Sequence, residues 1–211
     1  MNDRIKGKRL QELYDYDRAT VWDIIDRAMI CHIGLIRDGY PVVIPTIHGR
    51  IGDSLYIHGS SAAGNLKDLR KGVDACVTMT IVDGVVAARS LFNSSMNYRS
   101  VVVYGTTRAV DDPEERDAAL RAITEQVIPG RWDDARHASD TEDRQTLIIA
   151  ISIDQASAKI SSDMPEDDEA DMDVEVWAGV IPVSLVAGTP IPDPQLRPGI
   201  ALPDYIASYQ P

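Results

Sequence analysis

The chain has 211 residues, 44% hydrophobic and 26% charged, with a formal net charge of −12. That length suits one domain with a real core, and the whole chain, 1–211, is read as one unit. The negative field repels nucleic-acid backbones and anionic membranes, so neither is an expected partner, and any bound phosphate must find positive charge locally.

Residues 1–18 are polar and read as a loosely held arm. They lack the apolar stretch of a signal peptide, and no apolar run approaches the roughly 18 residues of a membrane span, so a cytoplasmic location is expected. Thr20 and Asp23 read as a capping box, followed by a helix to about Ala28 with Val21, Ile24, Ile25 and Ala28 on one face. From Met29 the period changes to that of a strand. Asp38-Gly39 is a hairpin turn pair, and a second strand covers 40–48. Pro45 removes a ladder donor there, so that strand is an edge or is bulged. Residues 49–53 read as a turn.

The stretch 54–72, S-L-Y-I-H-G-S-S-A-A-G-N-L-K-D-L-R-K-G, holds the densest chemistry. A short strand ends at His58, turns through Gly59, Ser60 and Ser61, and feeds a helix stopped by Gly72. Backbone N–H groups, two hydroxyls and the Asn65 amide converge where the helix dipole is positive, which suits a single phosphate. The same residues also make an ordinary Ser-capped helix start. Gly59 and Gly64 have P-loop spacing, but Asn65-Leu66 replaces the Lys-Ser/Thr pair, and no G-x-G-x-x-G follows a strand. Nucleoside triphosphate chemistry and a Rossmann site are therefore not expected.

Residues 73–82 form a β-rich run, with Asp83-Gly84 as its turn. No period is visible over 85–96. A long strand covers 97–110, where Gly105 marks a bend of the kind that lets a sheet close. Asp112-Pro113 starts a helix, with Glu115 completing the box. Residues 131–144 mix loop and short helix. The apolar run 147–153 reads as a central strand, with 156–161 read as its extension. Residues 163–175 carry eight Asp or Glu among thirteen and read as a solvated loop, since calcium-loop spacing is missing. A last strand spans 176–186, and the proline-rich residues 187–211 read as a tail wrapping the surface. The expected fold is mainly β (α+β): a six- to seven-stranded antiparallel split β-barrel with a few flanking helices.

Familiar catalytic constellations are missing. Cys31 and Cys76 lie far apart in apolar runs and read as buried free thiols. His32, His48 and His58 fall on neighbouring strands without metal-motif spacing, so no metal is expected. No G-x-S-x-G elbow supports a hydrolase. A cofactor that brings its own chemistry accounts for this silence.

Four ordered segments carry a family resemblance: P-V-V-I-P-T from Pro41, L-Y-I-H-G-S-S-A-A-G-N from Leu55, N-Y-R-S-V-V-V-Y-G from Asn97 and W-A-G-V-I-P from Trp177. Over 18–186 the chain resembles the pyridoxamine 5′-phosphate oxidase-like, FMN-binding split β-barrels, and within them the Nim-type nitroimidazole reductase branch. The resemblance implies a homodimer with FMN in a groove between subunits. It puts the flavin ring along Val43, Ile44, Pro45 and Thr46, and the phosphate and ribityl chain at His58, Gly59, Ser60, Ser61 and Asn65. It makes Ser100 a polar position on the partner-side strand and Trp177 a flavin-adjacent aromatic. Arg99 is an expected phosphate partner. Ala62-Ala63 replace the basic clamp of the vitamin B6 oxidases, so that substrate is not implied. The expectation is flavin-dependent redox chemistry on a small molecule, with no side chain assigned as acid or base. His58 either lies near the flavin or holds the turn. The alternative is a non-catalytic flavin- or haem-binding barrel; a deazaflavin is a further cofactor option.

Overall fold

The structure is a computed structural model that describes residues 4–211. The first helix, α1 (Arg18–Arg27), is capped by Asp17, whose carboxylate accepts from the Ala19 amide. The expected cap, Thr20, instead lies inside the first turn and donates to Asp15 at 2.6 Å. An ionised carboxylate one turn earlier is the stronger acceptor for the orphan amides. The expected apolar face is borne out, with Val21, Ile24, Ile25 and Ala28 all buried.

Strands β2 (Cys31–Arg37) and β3 (Tyr40–Thr46) form a hairpin through Asp38 and Gly39, both at positive φ. Among the described residues β3 pairs only with β2 and is a sheet edge, which is why Pro45 is tolerated. Residues 49–51, expected as part of a turn, are a short strand, β4 (Gly49–Ile51), paired with β5 (Ser54–Ser60). Gly49 is required there, since a Cβ would sit 2.6 Å from the backbone at Ala122 and Ile123. After α2 (Gly64–Leu69), strand β6 (Asp74–Ala87) runs straight through the expected turn at Asp83-Gly84. The register shift between Val82 and Gly84 makes that pair a bulge, with Asp83 clamped by Arg99 at 2.8 and 2.9 Å.

Strand β7 (Ser95–Ala109) pairs with β6 along its length. On its other side it pairs first with β9 (Gln155–Ser161), over residues 98–104, and then with β8 (Thr146–Ser152), over 107–109. Gly105 sits at the handover, as the sequence implies. The order is β3-β2-β6-β7-β8-β5-β4, with β1 (Tyr14–Asp15) on β9 and β10 (Gly179–Pro182) on the far half of β6. Every pairing is antiparallel, and the fold is the expected mainly β split barrel. Ten strands are present among the described residues, three beyond the expected range. β1 and β4 are too short to show a period. β9 does not continue β8 but follows a turn at Asp154.

Side chains from β2, β5, β6, β7 and β8, with α1, fill the main core. A smaller core under α3 (Pro113–Val127) takes Tyr56, Ile148 and Ala150. β8 supplies Ile149 and Ile151 to one core and Ile148 and Ala150 to the other, which accounts for its unbroken apolar run. Asp112 caps α3, but Glu115 does not complete the box: it accepts from Tyr56 and pairs with Arg108. The complete capping box is instead at α4 (Asp140–Arg144), between Ser139 and Glu142.

The acidic segment is not uniformly solvated. The Asp167 carboxylate is buried and accepts from the Arg89 and Ser90 amides while pairing with the Arg89 guanidinium. The tail is anchored by Tyr205, in the short α5 (Asp204–Ala207), through Arg131 and Asp134. Among the described residues, no helix is long and apolar enough to cross a membrane.

Candidate functional site

The strand-turn-helix stretch forms as expected, but its donors are arranged differently. Ser61 donates its amide to the Gln145 carbonyl, Ala62 to the Ser60 hydroxyl, and Ala63 to the Ser60 carbonyl. Ala63, rather than a serine, is the N-cap of α2. The turn amides are therefore engaged within the chain, and the amides without regular helical acceptors move on to Gly64, Asn65 and Leu66. Arg37, at the end of β2, lies beside them. Its Nε pairs with Asp68 at 2.5 Å, and its Nη2 is buried with no hydrogen-bond partner, 4.0 Å from where a Cβ on Gly64 would stand. An orphaned guanidinium nitrogen next to a helix start is the local positive charge that an anion would need here. His58 and Gly59 lie just before the end of β5, and a Cβ on Gly59 would meet a Leu66 methyl at 2.9 Å, the far end of a side chain that can turn aside.

The proposed ring bed divides between two faces. Val42, Ile44 and Thr46 alternate with the exposed Val43 and Pro45. Residues paired across antiparallel strands point to one face, so the register lays out transverse rows. Val43, Gly34, Cys76, Tyr104 and Gln155 form one row, and Pro45, His32, Thr78, Val102 and Ser157 the next. Thr80, Ser100, Lys159 and Tyr14 form a third. Val43, Pro45 and Ser100 therefore share one outer face of the sheet, with His32 between them. Arg99 is directed elsewhere, with its guanidinium engaged by Asp83 beneath the C-terminal tail. Trp177 is exposed and its ring packs on Gly179, which pairs with Ala87. Along β6 that point lies roughly 35 Å from Cys76, at about 3.3 Å per residue. A single protomer does not bring Trp177 to the Val43 row.

The four histidines differ in what their rings can do. His48 is fully buried with Nε2 on the Ile25 carbonyl, and His137 holds the Trp132 carbonyl. His58 has a buried Nδ1 without a partner. Burial holds His48 and His58 below the ordinary histidine value of 6.5. Both are therefore neutral when folded and take up protons on unfolding, so stability rises with pH through this range. As pH falls below about 6.5, each removes up to about 1.4 kcal/mol per pH unit until its own lower pKa is reached. Urea unfolding of the wild type and of His58→Gln at pH 5 to 8 should show a shallower loss in the variant. Equal slopes would show that His58 is not neutral in the folded state.

Sequence reasoning passed over Arg37, beside the Asp38-Gly39 turn, and saw His32 only as a metal candidate. The alternation in β2 could have placed His32, Gly34 and Ile36 on one outer face. The Arg37–Asp68 pairing had no sequence signal. Among the described residues, no group of three His, Cys, Asp or Glu side chains is placed to hold a metal ion.

A family model described as pyridoxamine 5′-phosphate oxidase matches residues 17–160. A flavocytochrome from Azotobacter vinelandii is 37% identical, with a TM-score of 0.92 over 99% of this chain and 97% of its own. A FAD- and haem-binding protein from Mycobacterium smegmatis is also 37% identical, with a TM-score of 0.87 over 92% and 95%. A protein from Bacteroides thetaiotaomicron described as a 5-nitroimidazole antibiotic resistance protein is 25% identical, with a TM-score of 0.59 over 70% and 86%. A search of curated proteins found no match. The resemblance carried by the ordered segments is thus borne out, and the chain belongs to the pyridoxamine 5′-phosphate oxidase family of flavin-binding split β-barrels.

Proposed function

We propose that this protein is a homodimeric, flavin-dependent oxidoreductase acting on a small molecule, with haem as a second cofactor. The observation that carries this reading is the likeness to a flavocytochrome and to a FAD- and haem-binding protein along almost the whole chain. It includes the segment after residue 160, where the family match ends.

The site's residues fit a flavin. The edge strand β3 offers unpaired backbone groups beside exposed Val43 and Pro45, as a ring edge requires. The Arg37 guanidinium at Gly64 takes a phosphate oxygen, and Asn65 stands in the same first turn. Bound there, the flavin would supply hydride and electron transfer, while the chain orients it and excludes water. The second subunit completes the site. Leu91 and Phe92 are 96% and 93% exposed, and Tyr40, Val43, Trp177 and Val186 are also largely uncovered. Soluble monomers rarely leave that much apolar surface in water. A dimer would also bring Trp177 of one subunit toward the β3 of the other, which one protomer cannot do.

Haem fits the histidines left uncommitted. His32 faces outward beside Pro45, and His58 is held neutral by burial, the form that ligates iron. The purified protein should be yellow-red, with flavin bands and a Soret band, and should elute as a dimer. Mass spectrometry of the released cofactors distinguishes FMN from FAD. Loss of the Soret band in His32→Ala or His58→Ala, with flavin retained, identifies the iron ligand. Colourless protein that gains no thermal stability from FMN, FAD or haem would overturn the reading.

A further inference from the structure

The described part of the N-terminal arm is tied to the sheet. Gly7 packs on the Tyr14 ring, where a Cβ would overlap the ring atoms, and its amide donates to the Tyr16 hydroxyl. β1 then pairs with β9. The arm's side chains thereby reach over a cavity of about 930 Å³, lined by Arg4, Lys6, Lys8 and Arg9 and, from β9, by Lys159. Lys159 is the fixed member of this set. Its ammonium stands 5.6 Å from the Tyr14 ring and 5.8 Å from the Tyr98 ring. A hydrogen bond with Tyr98 pushes its pKa up, so it stays charged.

Among the described residues no carboxylate lines this cavity, although the chain as a whole carries −12. Five cations gathered over one volume repel one another, and an anion that enters relieves that repulsion as it gains charge-assisted hydrogen bonds. A single negative charge would leave most of the cluster uncompensated, so the fit is to a head group that carries two or more.

The cavity opens towards the flavin face. A cleft of about 440 Å³ shares Arg4 and Tyr104 with it and includes Gly34, Val43 and Cys76, with apolar walls from Ile36 and Val42. The row Val43–Gly34–Cys76–Tyr104 runs through this cleft, and Gly34 leaves a gap in it without a side chain. From β3 to β7 the row covers three inter-strand spacings, about 14 Å. The path is cationic at the β7 and β9 end and apolar at the β3 end. Arg37, the residue that takes the flavin's phosphate, lines neither volume. The cavity's cations are therefore left for a second molecule.

We propose that the N-terminal cavity binds the acidic head group of the protein's redox substrate, a small molecule with two or more negative charges at one end and an apolar body that crosses the Gly34 gap to the ring on β3. This rests on the flavin reading above. It gives the arm the role of selecting substrates by charge, while the β2–β3 hairpin presents the reacting end to the ring.

The test uses full-length, flavin-loaded protein titrated with octyl phosphate, with octanol as the uncharged match and with inorganic pyrophosphate as a head group alone. Wild type is compared with K6E/K8E/R9E. These three side chains are exposed, so folding should be intact, and circular dichroism checks it; the single K6E variant repeats the test with less perturbation. Octyl phosphate and pyrophosphate should bind the wild type, weaken with added salt, and lose about thirtyfold or more in the triple variant. Octanol should bind more weakly and equally in both. Octyl phosphate, but not pyrophosphate, should perturb the flavin absorbance, and flavin affinity should differ by less than about threefold between the two proteins. No binding of either anion, or equal binding in both proteins, overturns the proposal and leaves the flavin reading intact. Binding without any change at the flavin overturns the substrate role. Parallel loss of flavin or of Soret absorbance in the variant overturns it in favour of a cofactor contact. If the wild type binds no flavin, that reading fails and the substrate role falls with it, while anion binding lost in the variant still supports the cavity as the head-group site and absent binding overturns that too.

Discussion

Gly105→Val should destabilise the fold by about 3 kcal/mol or more, the upper range for forcing atoms into a packed interior. A Cβ at residue 105 would lie 2.7 Å from the Ser152 carbonyl oxygen and 2.9 Å from an Ile151 methyl. The first obstacle is backbone and cannot rotate away. β8 cannot retreat either, because Ser152 and Ile151 are paired with Ser54 and Leu55 on its other side. The glycine stands where β7 leaves β9 and joins β8, so the strain falls on the junction that splits the barrel. Urea unfolding reads the effect as a large drop in midpoint. Gly34→Ala is the matched control, since its Cβ would meet nothing closer than 3.5 Å. A wild-type midpoint for Gly105→Val would show that the junction yields, and that close approach is not why glycine is there.

Arg37→Ala should weaken flavin binding by about ten- to a hundredfold, the equivalent of one charge-assisted hydrogen bond of about 1.5–3 kcal/mol. Stability should change by less than about 1 kcal/mol. The Arg37–Asp68 pair is partly exposed, and Asp68 keeps Lys71 at 2.7 Å. Asp68→Asn separates a binding role from a structural one. It removes the ion pair but leaves the guanidinium, so flavin affinity should hold or rise. Unchanged affinity in Arg37→Ala would remove this residue from the phosphate site. Loss in both variants would make the pair a scaffold for α2 rather than a ligand contact.

Local signals explain which parts of the fold were legible. Asp38-Gly39 turns because both residues reach positive φ. Asp112 caps because its carboxylate reaches the Glu115 amide three residues on. Pro45 reads as an edge or a bulge because it cannot donate, and residues 147–153 read as central because both of their faces are apolar. Each argument needs only neighbouring residues. The errors also share a cause. Asp83-Gly84 has the composition of a turn, but β7 and β10 hold β6 straight on both sides, and the pair becomes a bulge. Thr20 is a reasonable cap in isolation, but Asp17 precedes it and binds more strongly. β4 is too short to show alternation and exists because β5 and α3 enclose it.

The candidate site divides in the same way. By itself the sequence determined the split-barrel class, the strand-turn-helix that begins with β5, the broken ladder at Pro45, and the flavin-binding family, because turn chemistry, period and ordered segments are properties of adjacent residues. Only the tertiary structure decided that Arg37, and not Arg99, stands by the helix start, since Arg99 is claimed by Asp83 across the bulge. It alone set Val43, Gly34, Cys76 and Tyr104 in one row, and gathered five cations of an acidic chain over one cavity. Those placements depend on register between strands far apart in the chain. A register is chosen by the burial of whole faces at once, which no single stretch of sequence encodes.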